Sequence, residues 1–377
     1  MNLTGNQAAV SYGPDTGFTI EDVEISDPRP DEVLVRLTAA GICHTDLATK
    51  ALMPAGVPAV YGHEGAGVVE ATGTDVTSVR AGDRVVLSYN SCGVCARCAA
   101  GRRAYCERFA ALNNAGRRPD GSSTLSRQGG DVWSSFFGQS SFARHALATR
   151  ENIVVVPQDT DLVTAAPMGC GFQTGAGSVV NLLRPTPDSS LVVYGAGGAG
   201  LAAVMAAAAL GTGTVIAVDL SKERRALATE LGATHALDGA SADLVEQIRE
   251  LTAGGATHGF DTTGVPGVIR NAALALAPLG SLVVVGLGAA DIGFDVMDLI
   301  GGGKTIRGSI EGDANPHELV PLLLDWHAQG RFPADRVISA FAFEDIDEAV
   351  ARMRADVVKP VLTFSGRAES RDTGPAR

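Results

Sequence analysis

The sequence contains few charged and few aromatic residues, and basic residues are the scarcer charged type. Charged residues make up 19% and aromatic residues 5% of the 377 residues, whereas hydrophobic residues make up 45%. This balance argues against an intrinsically disordered chain, and the length suits two domains. The 42 acidic residues outnumber the 30 basic ones, giving a net charge of −12. A protein that binds nucleic acid needs the opposite sign, so we expect no nucleic-acid partner.

Signals for export and for membrane insertion are also lacking. Residues 1–17 contain neither the basic start nor the apolar core of a secretory signal. The uncharged stretch from Ser189 to Val218 is long enough to span a membrane, but its glycines divide it into strand, turn, helix and strand. We therefore expect a cytoplasmic protein with no membrane partner, whose cysteines bind metal rather than form disulfides.

Two different patterns of predicted secondary structure divide the chain into two regions. Up to about residue 171, short apolar runs end in glycine turns, as in EVLVRLTAAGIC and GHEGAGVVEATG, which favours a β-rich domain. From about residue 172, strands such as SLVVY and TVIAVDL alternate with helices such as LAAVMAAAALG. This alternation is typical of a doubly wound parallel sheet. The sequence therefore predicts an α/β protein with a Rossmann domain at residues 172–310.

A glycine motif within this second region predicts a dinucleotide site. Gly195, Gly197 and Gly200, with Gly198 among them, form G-x-G-x-x-G between a predicted strand and a predicted helix, and Asp219 ends the next strand. The glycines permit a tight turn and close approach of a pyrophosphate, which the helix N-terminus attracts. Asp219 can accept hydrogen bonds from both hydroxyls of the adenosine ribose and would repel a 2′-phosphate, which favours NAD over NADP. A glycine-rich turn without a ligand is the alternative.

Four of the six cysteines form a compact cluster. Cys92, Cys95, Cys98 and Cys106 follow the spacing C-x2-C-x2-C-x7-C. Four thiolates on one loop can surround a structural Zn²⁺ tetrahedrally and leave no open position. Iron–sulfur proteins also use C-x2-C-x2-C, although the Cys-Pro that ends their motif is absent here. Four unliganded thiols are the third interpretation.

The two remaining cysteines lie in motifs that accompany a histidine. Cys43 lies in GICHTD, His63 in GHEGAG and Cys170 in MGCGFQTGAG. Two thiolates and one imidazole would leave the fourth position of a zinc ion open for water or substrate, as at a catalytic site. Sequence separation alone does not bring the three together, because a buried cysteine or a hydrogen-bonded histidine gives the same pattern.

Taken together, these motifs resemble the zinc-dependent members of the medium-chain dehydrogenase/reductase superfamily. The resemblance runs from about residue 8 to 364, and FFGQSSF, GCGFQTGAG and RGSIEGDANP resemble its aryl-alcohol (benzyl alcohol) and geraniol dehydrogenase branch. It implies a GroES-like catalytic domain formed by residues 1–171 and 311–377. It also implies NAD, two Zn²⁺ per chain, and reversible oxidation of a primary aryl or allylic alcohol to the aldehyde.

The resemblance further implies roles for residues around the two metals. Cys43, His63 and Cys170 would ligate the catalytic zinc, with Glu64 behind the metal and Asp46 orienting His63. Thr45 would accept the hydrogen bond of the substrate hydroxyl. The structural zinc would be held by the four clustered cysteines, namely Cys92, Cys95, Cys98 and Cys106.

Other residues are implied to contact the cofactor and the substrate. His44 and Lys359 would face the cofactor pyrophosphate, and Arg224 would lie over the adenosine ribose beside Asp219. One departure concerns Ala48, which stands where many relatives carry the histidine that ends a proton relay. The substrate pocket would be lined by Ser88, Phe136, Phe137 and Ile310.

Two alternative functions accompany this interpretation. Within the same fold, a glutathione-dependent formaldehyde dehydrogenase or a secondary-alcohol dehydrogenase is the second enzyme candidate. A non-catalytic dinucleotide-binding protein, such as a redox sensor, is the candidate from another class. The resemblance also implies a homodimer or a homotetramer, since both occur in the family.

Overall fold

The computed structural model describes residues 6–288 and 291–364. The outermost parts of the predicted catalytic domain, residues 1–5 and 365–377, lie outside the described residues. The strands are β1 Asn6–Ser11, β2 Thr19–Ile25, β3 Glu32–Gly41, β4 Ala59–Val60, β5 Glu64–Thr72, β6 Arg84–Leu87, β7 Leu125–Arg127, β8 Gly130–Asp131, β9 His145–Thr149, β10 Ile153–Val156, β11 Ser190–Tyr194, β12 Thr214–Asp219, β13 His235–Asp238, β14 Ala256–Asp261, β15 Leu276–Val284, β16 Thr305–Gly308, β17 Ile338–Ala342 and β18 Lys359–Thr363. The helices are α1 His44–Leu52, α2 Ala96–Ala99, α3 Phe109–Asn113, α4 Leu162–Ala165, α5 Gly171–Gly177, α6 Gly198–Ala209, α7 Lys222–Glu230, α8 Leu244–Leu251, α9 Pro266–Leu274, α10 Val296–Gly302, α11 Pro316–Ala328 and α12 Ile346–Ala355.

A six-stranded parallel sheet forms the second half of the fold. Its strand order is β13-β12-β11-β14-β15-β16, with every neighbouring pair parallel. Chain order reverses between β11 and β14, and ligands of such sheets bind beyond the carboxyl ends of the strands at this reversal. Strand β11 is buried along its whole length, as expected for a central strand with a helix on each face. The predicted Rossmann sheet is confirmed.

Two mainly antiparallel sheets form the β-rich half. One has the order β4-β1-β2-β7-β8, and the other has the order β10-β6-β5-β3-β18-β17 with β9 also paired to β3. Because β18 pairs with β3, the last described strand of the chain rejoins the sheet begun near its start. The predicted combination of a β-rich part with a doubly wound part is confirmed, whereas the exact domain limits stay a prediction.

The uncharged stretch between Ser189 and Val218 contains β11, the glycine loop, α6 and most of β12. Helix α6 is apolar on all sides, and its residues 200–207 are buried, as expected for a helix enclosed by other elements. Among the residues that the structure describes, no helix combines the length and the apolarity needed to cross a membrane.

Helix α5 packs against α6 at very short range. A Cβ added at Gly175 would lie 1.9 Å from the carbonyl oxygen of Ala199 and 3.0 Å from Cβ of Ala202. The same hydrophobic cluster includes Phe172 and Ala176 of α5, residues of α6, and Val86 of β6. Glycine at position 175 therefore permits close contact between the helix that follows Cys170 and the helix that follows the glycine motif.

We predict that Gly175→Ala lowers the free energy of unfolding by about 1–3 kcal/mol, because the added methyl group forces α5 away from α6. Thermal and urea unfolding measure this change. Gly301→Ala is the matched control, since it also lies in a helix but its added Cβ meets no atom within 4 Å. The control should be neutral or gain up to about 1 kcal/mol from helix propensity. Equal stability of both variants would contradict the packing argument.

Candidate active site

Three separate segments bring the predicted catalytic ligands together. Cys43 caps α1, His63 immediately precedes β5, and Cys170 immediately precedes α5. The ligand atoms of these three residues and of Glu64 all lie within 4.8 Å of one another. His63 and Glu64 are completely buried, and Cys170 is nearly so. The structure thus assembles two thiols, one imidazole and one carboxylate in a single enclosed cluster.

Asp46 orients the imidazole of His63. Its Oδ1 lies 2.8 Å from Nδ1 of His63 and accepts the backbone N–H of Gly62, while its Oδ2 accepts the N–H of Cys43. Nε2 of His63 is buried with no hydrogen-bond partner among the described residues, which is unusual for a polar atom. A metal ion between this nitrogen and the two thiols would satisfy it, so the residues present fit a zinc ion.

The charge of His63 responds to the same neighbours. Burial by itself lowers the pKa of His63, but the Asp46 carboxylate and the Cys43 thiol outweigh it and raise the pKa well above its usual value. These groups favour a positively charged imidazole. A bound metal cation would supply the positive charge in place of the proton. The site is therefore built to surround a positive charge.

Glu64 forms a buried ion pair with Lys359. Nζ of Lys359 lies 2.8 Å from Oε1 and 2.7 Å from Oε2 of Glu64, and it also donates to the carbonyl of Ile42. Burial lowers the pKa of Lys359, but Glu64 and Cys43 outweigh it and raise the pKa above its usual value. Oε1 of Glu64 also accepts the backbone N–H of Gly171. The pair therefore connects β5 and β18 to the first residue of α5.

The position of Lys359 relates the ligand cluster to the glycine loop. Its Cε lies 3.7 Å from the position of a Cβ added at Gly198, so the side chain passes beside the first residue of α6. Its ammonium, however, is bound to Glu64 and not directed freely toward a pyrophosphate. The sequence did not predict this pairing.

Glu311 and Gln173 were not singled out from the sequence, yet both lie against Cys170. Oε1 of Glu311 is 3.3 Å from Sγ of Cys170, and Oε2 accepts a hydrogen bond of 2.9 Å from Nε2 of Gln173. Burial raises the pKa of the Glu311 carboxyl above its usual range. The two contacting residues are 141 positions apart in the chain, so no local pattern reports the contact.

The four clustered cysteines converge on one point. Sγ of Cys92 lies 3.9 Å from Sγ of Cys98, and Sγ of Cys95 lies 4.0 Å from Sγ of Cys106. Zinc–sulfur bonds of about 2.3 Å in a tetrahedron place sulfurs about 3.8 Å apart, so the spacing fits a zinc ion. Backbone N–H groups of Cys92 and Cys95 donate to sulfurs of the cluster, and such contacts stabilise thiolates.

The glycine motif adopts the geometry of a phosphate-binding turn. Gly195 follows β11 with φ +91°, and a Cβ added at Gly200 would lie 1.8 Å from the carbonyl oxygen of Gly195. Gly197 precedes α6, and a Cβ added there would meet no atom within 4 Å. The first and last glycines thus permit the turn and the packing of the helix, and the middle one leaves open space for a ligand.

Asp219 lies beside this loop at the end of β12. Its Oδ2 accepts the N–H of Ala196 at 2.7 Å, and its Oδ1 accepts the N–H of Ser221 at 2.8 Å. Ser221 caps α7 through the N–H of Arg224, which confirms the predicted start of that helix. Arg224 is half-buried in the first turn of α7, and His44 is exposed at the start of α1.

The predicted substrate residues have unequal access to the cluster. The ring of Phe137 stacks on His63 at 4.5 Å between centroids, while Phe136 contacts His63 edge-on at 5.4 Å. Phe136 is completely buried, whereas 6% of the surface of Phe137 is exposed. Phe137 is the ring that lies flat against the imidazole. Ser88 is also completely buried and donates to the carbonyl of Gly169, whereas Ile310 is 42% exposed.

Comparisons with known proteins agree with this geometry. The alcohol dehydrogenase GroES-like domain matches residues 29–158, and the zinc-binding dehydrogenase domain matches residues 198–329. A geraniol dehydrogenase of Castellaniella defragrans is 46% identical over 95% of this chain and 97% of its own length. The chain belongs to the zinc-binding alcohol dehydrogenase family. Family membership makes it an oxidoreductase of the alcohol dehydrogenase type, as predicted.

Solved structures of family members superpose on the whole chain. A benzyl alcohol dehydrogenase from Acinetobacter calcoaceticus has a TM-score of 0.92 and 41% identity, covering 96% of this chain and 99% of its own. A short chain alcohol dehydrogenase from Escherichia coli CFT073, solved with NADH, has a TM-score of 0.79 and 25% identity, covering 95% and 99%. The Escherichia coli protein therefore shows that a fold of this type binds NADH.

We predict two zinc ions per chain, because two complete ligand sets use all six cysteines. Cys98→Ser should lose one zinc and destabilise the fold, since metal binding at a closed site contributes to folding. Cys43→Ser should lose the other zinc and the activity, with a much smaller change in melting temperature. Elemental analysis and thermal unfolding measure both effects. A wild-type protein that is purified without chelators and holds fewer than two zinc ions would contradict this assignment.

Proposed function

We propose that the chain is an NAD-dependent zinc alcohol dehydrogenase that interconverts primary aryl or allylic alcohols and their aldehydes. The observation that carries the substrate class is the stacking of Phe137 on His63, which puts an aromatic wall directly against the ligand cluster. An aromatic substrate ring gains about 0.5–1.5 kcal/mol from such a neighbour beyond its buried area. The names of the two relatives, a geraniol and a benzyl alcohol dehydrogenase, support an allylic and an aryl alcohol respectively.

Different residues of the site would have different roles in catalysis. Cys43, His63 and Cys170 would hold the catalytic zinc, with Asp46 fixing the imidazole. When bound, zinc supplies the Lewis acidity that makes an alcohol more acidic, and NAD⁺ supplies the hydride acceptor. The hydroxyl of Thr45 would accept the proton of the substrate hydroxyl, and its distance of 3.7 Å from Sγ of Cys43 supports this role.

Proton release from this site differs from that of relatives with a relay histidine. Ala48 lies on α1 in the turn after Thr45 and carries only a methyl group, so it offers no imidazole to receive the proton. The proton held at Oγ1 of Thr45 must pass to water or to the cofactor ribose. Ala48 itself neither binds nor releases a proton.

The small side chain at position 88 supports a bulky substrate. Ser88 stands where some relatives carry a phenylalanine beside the metal, and its completely buried side chain donates to the carbonyl of Gly169. A side chain of this size would leave more room beside the cluster than a phenylalanine ring. Ile310, which is partly exposed next to Glu311, would form the opposite apolar wall.

We predict that kcat/KM for benzyl alcohol exceeds that for ethanol, because each missing CH₂ costs about 0.8 kcal/mol of burial. Phe137→Ala should raise KM for benzyl alcohol more than KM for ethanol. Phe341→Ala is the control, since this ring lies on β17, is half-buried, and has no part in the site. Steady-state kinetics with both alcohols measure the effect. Equal kcat/KM for the two alcohols in the wild type would overturn the substrate class but not the family.

Asp219 supports NAD as the cofactor. Its carboxylate is held in place by two backbone N–H groups beside the glycine loop, where the adenosine ribose of a bound dinucleotide would lie. A 2′-phosphate there would face the negative charge of Asp219. The guanidinium of the neighbouring Arg225 is already bound to the carbonyls of Asp219 and Leu220 and to the carboxylate of Asp238, and Arg224, on the first turn of α7, is the other cation beside it. The carboxylate therefore selects against NADP more than it strengthens NAD binding.

We predict that the wild type prefers NAD over NADP by roughly 30- to 1000-fold in kcat/KM, corresponding to about 2–4 kcal/mol. Asp219→Asn should reduce this ratio mainly by improving the use of NADP, because the amide keeps an acceptor but removes the repulsion. Kinetics with both cofactors at saturating alcohol measure the ratio. A wild type that uses both cofactors equally well would refute the role of Asp219.

The assembly and location belong to the same proposal. Residues 1–171 and 311–377 would form the catalytic domain around the cofactor domain at 172–310, and two or four copies would associate. Helix α10 and strand β15, which lies next to edge strand β16, support association, since they expose large apolar side chains that a second copy would cover. These side chains are Leu279 on β15 and Val296, Met297 and Ile300 on α10. A cytoplasmic location stays a prediction.

A further inference from the structure

A left-handed turn lies directly behind Cys170. Glu311, Gly312 and Asp313 have φ values of +53°, +64° and +51° in succession. Only glycine adopts this region freely, and each other residue in it costs about 1–2 kcal/mol. Such strain persists where the surrounding structure fixes the backbone, and it concentrates at functional sites.

The surrounding structure does fix this turn. Both oxygens of Asp313 are paired, Oδ1 with the hydroxyls of Tyr105 and Ser309 and Oδ2 with the guanidinium of Arg307. The carbonyl of Gly312 accepts a hydrogen bond from Nδ2 of Asn181 at 3.0 Å. These contacts come from three different parts of the chain, and they hold the turn against α5.

The turn is packed too tightly to shift. A Cβ added at Gly312 would lie 2.7 Å from the carbonyl oxygen of Gln173 and 2.8 Å from Cα of Gly177. The backbone of the turn therefore rests on the backbone of α5, the helix that begins immediately after Cys170. Any change in the turn is transmitted to the position of that cysteine.

The turn brings Glu311 into a buried polar network that ends at Cys170. The carboxyl group of Glu311 contacts Sγ of Cys170 at 3.3 Å and accepts from Nε2 of Gln173. Nε2 of Gln173 also lies 3.1 Å from Oγ of Ser88, and that hydroxyl donates to the carbonyl of Gly169. The network thus contacts both the sulfur of Cys170 and the peptide that precedes it.

We propose that Glu311 is a positioning residue for Cys170, which it holds with Sγ directed at Cys43 and His63. This inference rests on the proposed function, because it assigns Cys170 to the catalytic metal. Residues behind metal ligands fix ligand direction, and their loss typically weakens metal affinity or activity 10- to 100-fold. The strained turn places the side chain of Glu311 against Cys170.

A purely structural role explains the arrangement less well. A buried carboxyl group beside a thiol is costly, and an apolar side chain of similar size would fill the same space without that cost. An apolar side chain would also leave Nε2 of Gln173 with one partner fewer. The polar group is therefore retained for what it does to Cys170 and Gln173.

The test uses three variants of the full-length protein. Glu311→Ala removes the group, and Glu311→Asp keeps a carboxyl group, which can donate to sulfur when protonated, and tolerates a positive φ but withdraws that group by one methylene. Glu311→Gln keeps the reach, with an amide that can accept from Gln173 and donate to sulfur. The control is Glu318→Ala, an exposed residue on α11 whose side chain accepts a hydrogen bond from Nδ2 of Asn315, away from the metal cluster.

Two readouts other than activity report on the metal. One is the rate at which the catalytic zinc passes to a chromophoric chelator, and the other is the visible spectrum after cobalt replaces that zinc. We expect Glu311→Ala to release zinc 10- to 100-fold faster and to shift the thiolate-to-cobalt and ligand-field bands. Glu311→Asp should show a smaller change of the same kind, while Glu311→Gln and Glu318→Ala resemble the wild type. The loss of activity should lie in kcat more than in KM.

The outcomes separate this inference from the function on which it rests. A wild type that holds catalytic zinc and oxidises alcohols, with unchanged release and spectrum in Glu311→Ala, would overturn the inference alone. A lower melting temperature with an unchanged spectrum would show a structural role and overturn it too. If Glu311→Ala does not fold, Glu311→Asp takes its place, and an unchanged spectrum there has the same meaning. A wild type without zinc at Cys43, His63 and Cys170 would overturn both proposals.

Discussion

The short contact between α5 and α6 determines the distance between the metal-ligand cluster and the dinucleotide loop. Cys170 immediately precedes α5, and Gly198 begins α6. Because Gly175 has no side chain, the two helix backbones approach more closely than any other residue would permit. Lys359 lies between the two helix starts, near the Cβ positions of both Gly171 and Gly198. One glycine contact thus places the site of metal binding beside the site of cofactor binding.

Buried charge is the second constraint on the site. The thiols and carboxyl groups around His63 and Cys170 concentrate negative charge in an enclosed volume, and unpaired charge there is strongly unfavourable. Lys359 offsets part of it through Glu64, and Asp46 is paired with His63. Nε2 of His63, which has no hydrogen-bond partner among the described residues, faces the same cluster. The chemistry of these groups suits a divalent ion.

The sequence predicted those parts of the site that are local in the chain. The four-cysteine spacing, the glycine motif with Asp219, and the cap at Ser221 depend on neighbours within a few residues or one βαβ unit, so composition and spacing report them. The convergence of Cys43, His63 and Cys170 came only from resemblance, because three distant segments must meet. The contact of Glu311 with Cys170 spans 141 positions, and its left-handed turn carries no sequence signature.

The sequence also did not predict how individual side chains would be buried and oriented. Phe136 and Phe137 are adjacent and chemically identical, yet Phe137 stacks on His63 while Phe136 contacts the same imidazole edge-on, and the two rings meet each other at nearly a right angle. The pairing of Lys359 with Glu64 likewise depends on β18 returning to β3. Strand pairing over such distances follows from the whole fold and not from any segment of it.

The most direct test of this account is an anomalous-difference map at the zinc absorption edge from crystals grown with NAD⁺. The account predicts one peak about 2.0–2.3 Å from Cys43, His63 and Cys170, with the glycine loop around Gly197 occupied by the cofactor pyrophosphate. It predicts a second peak among Cys92, Cys95, Cys98 and Cys106. No peak between Cys43, His63 and Cys170, in crystals that do contain the second peak, would contradict the central claim that these three residues form a catalytic zinc site.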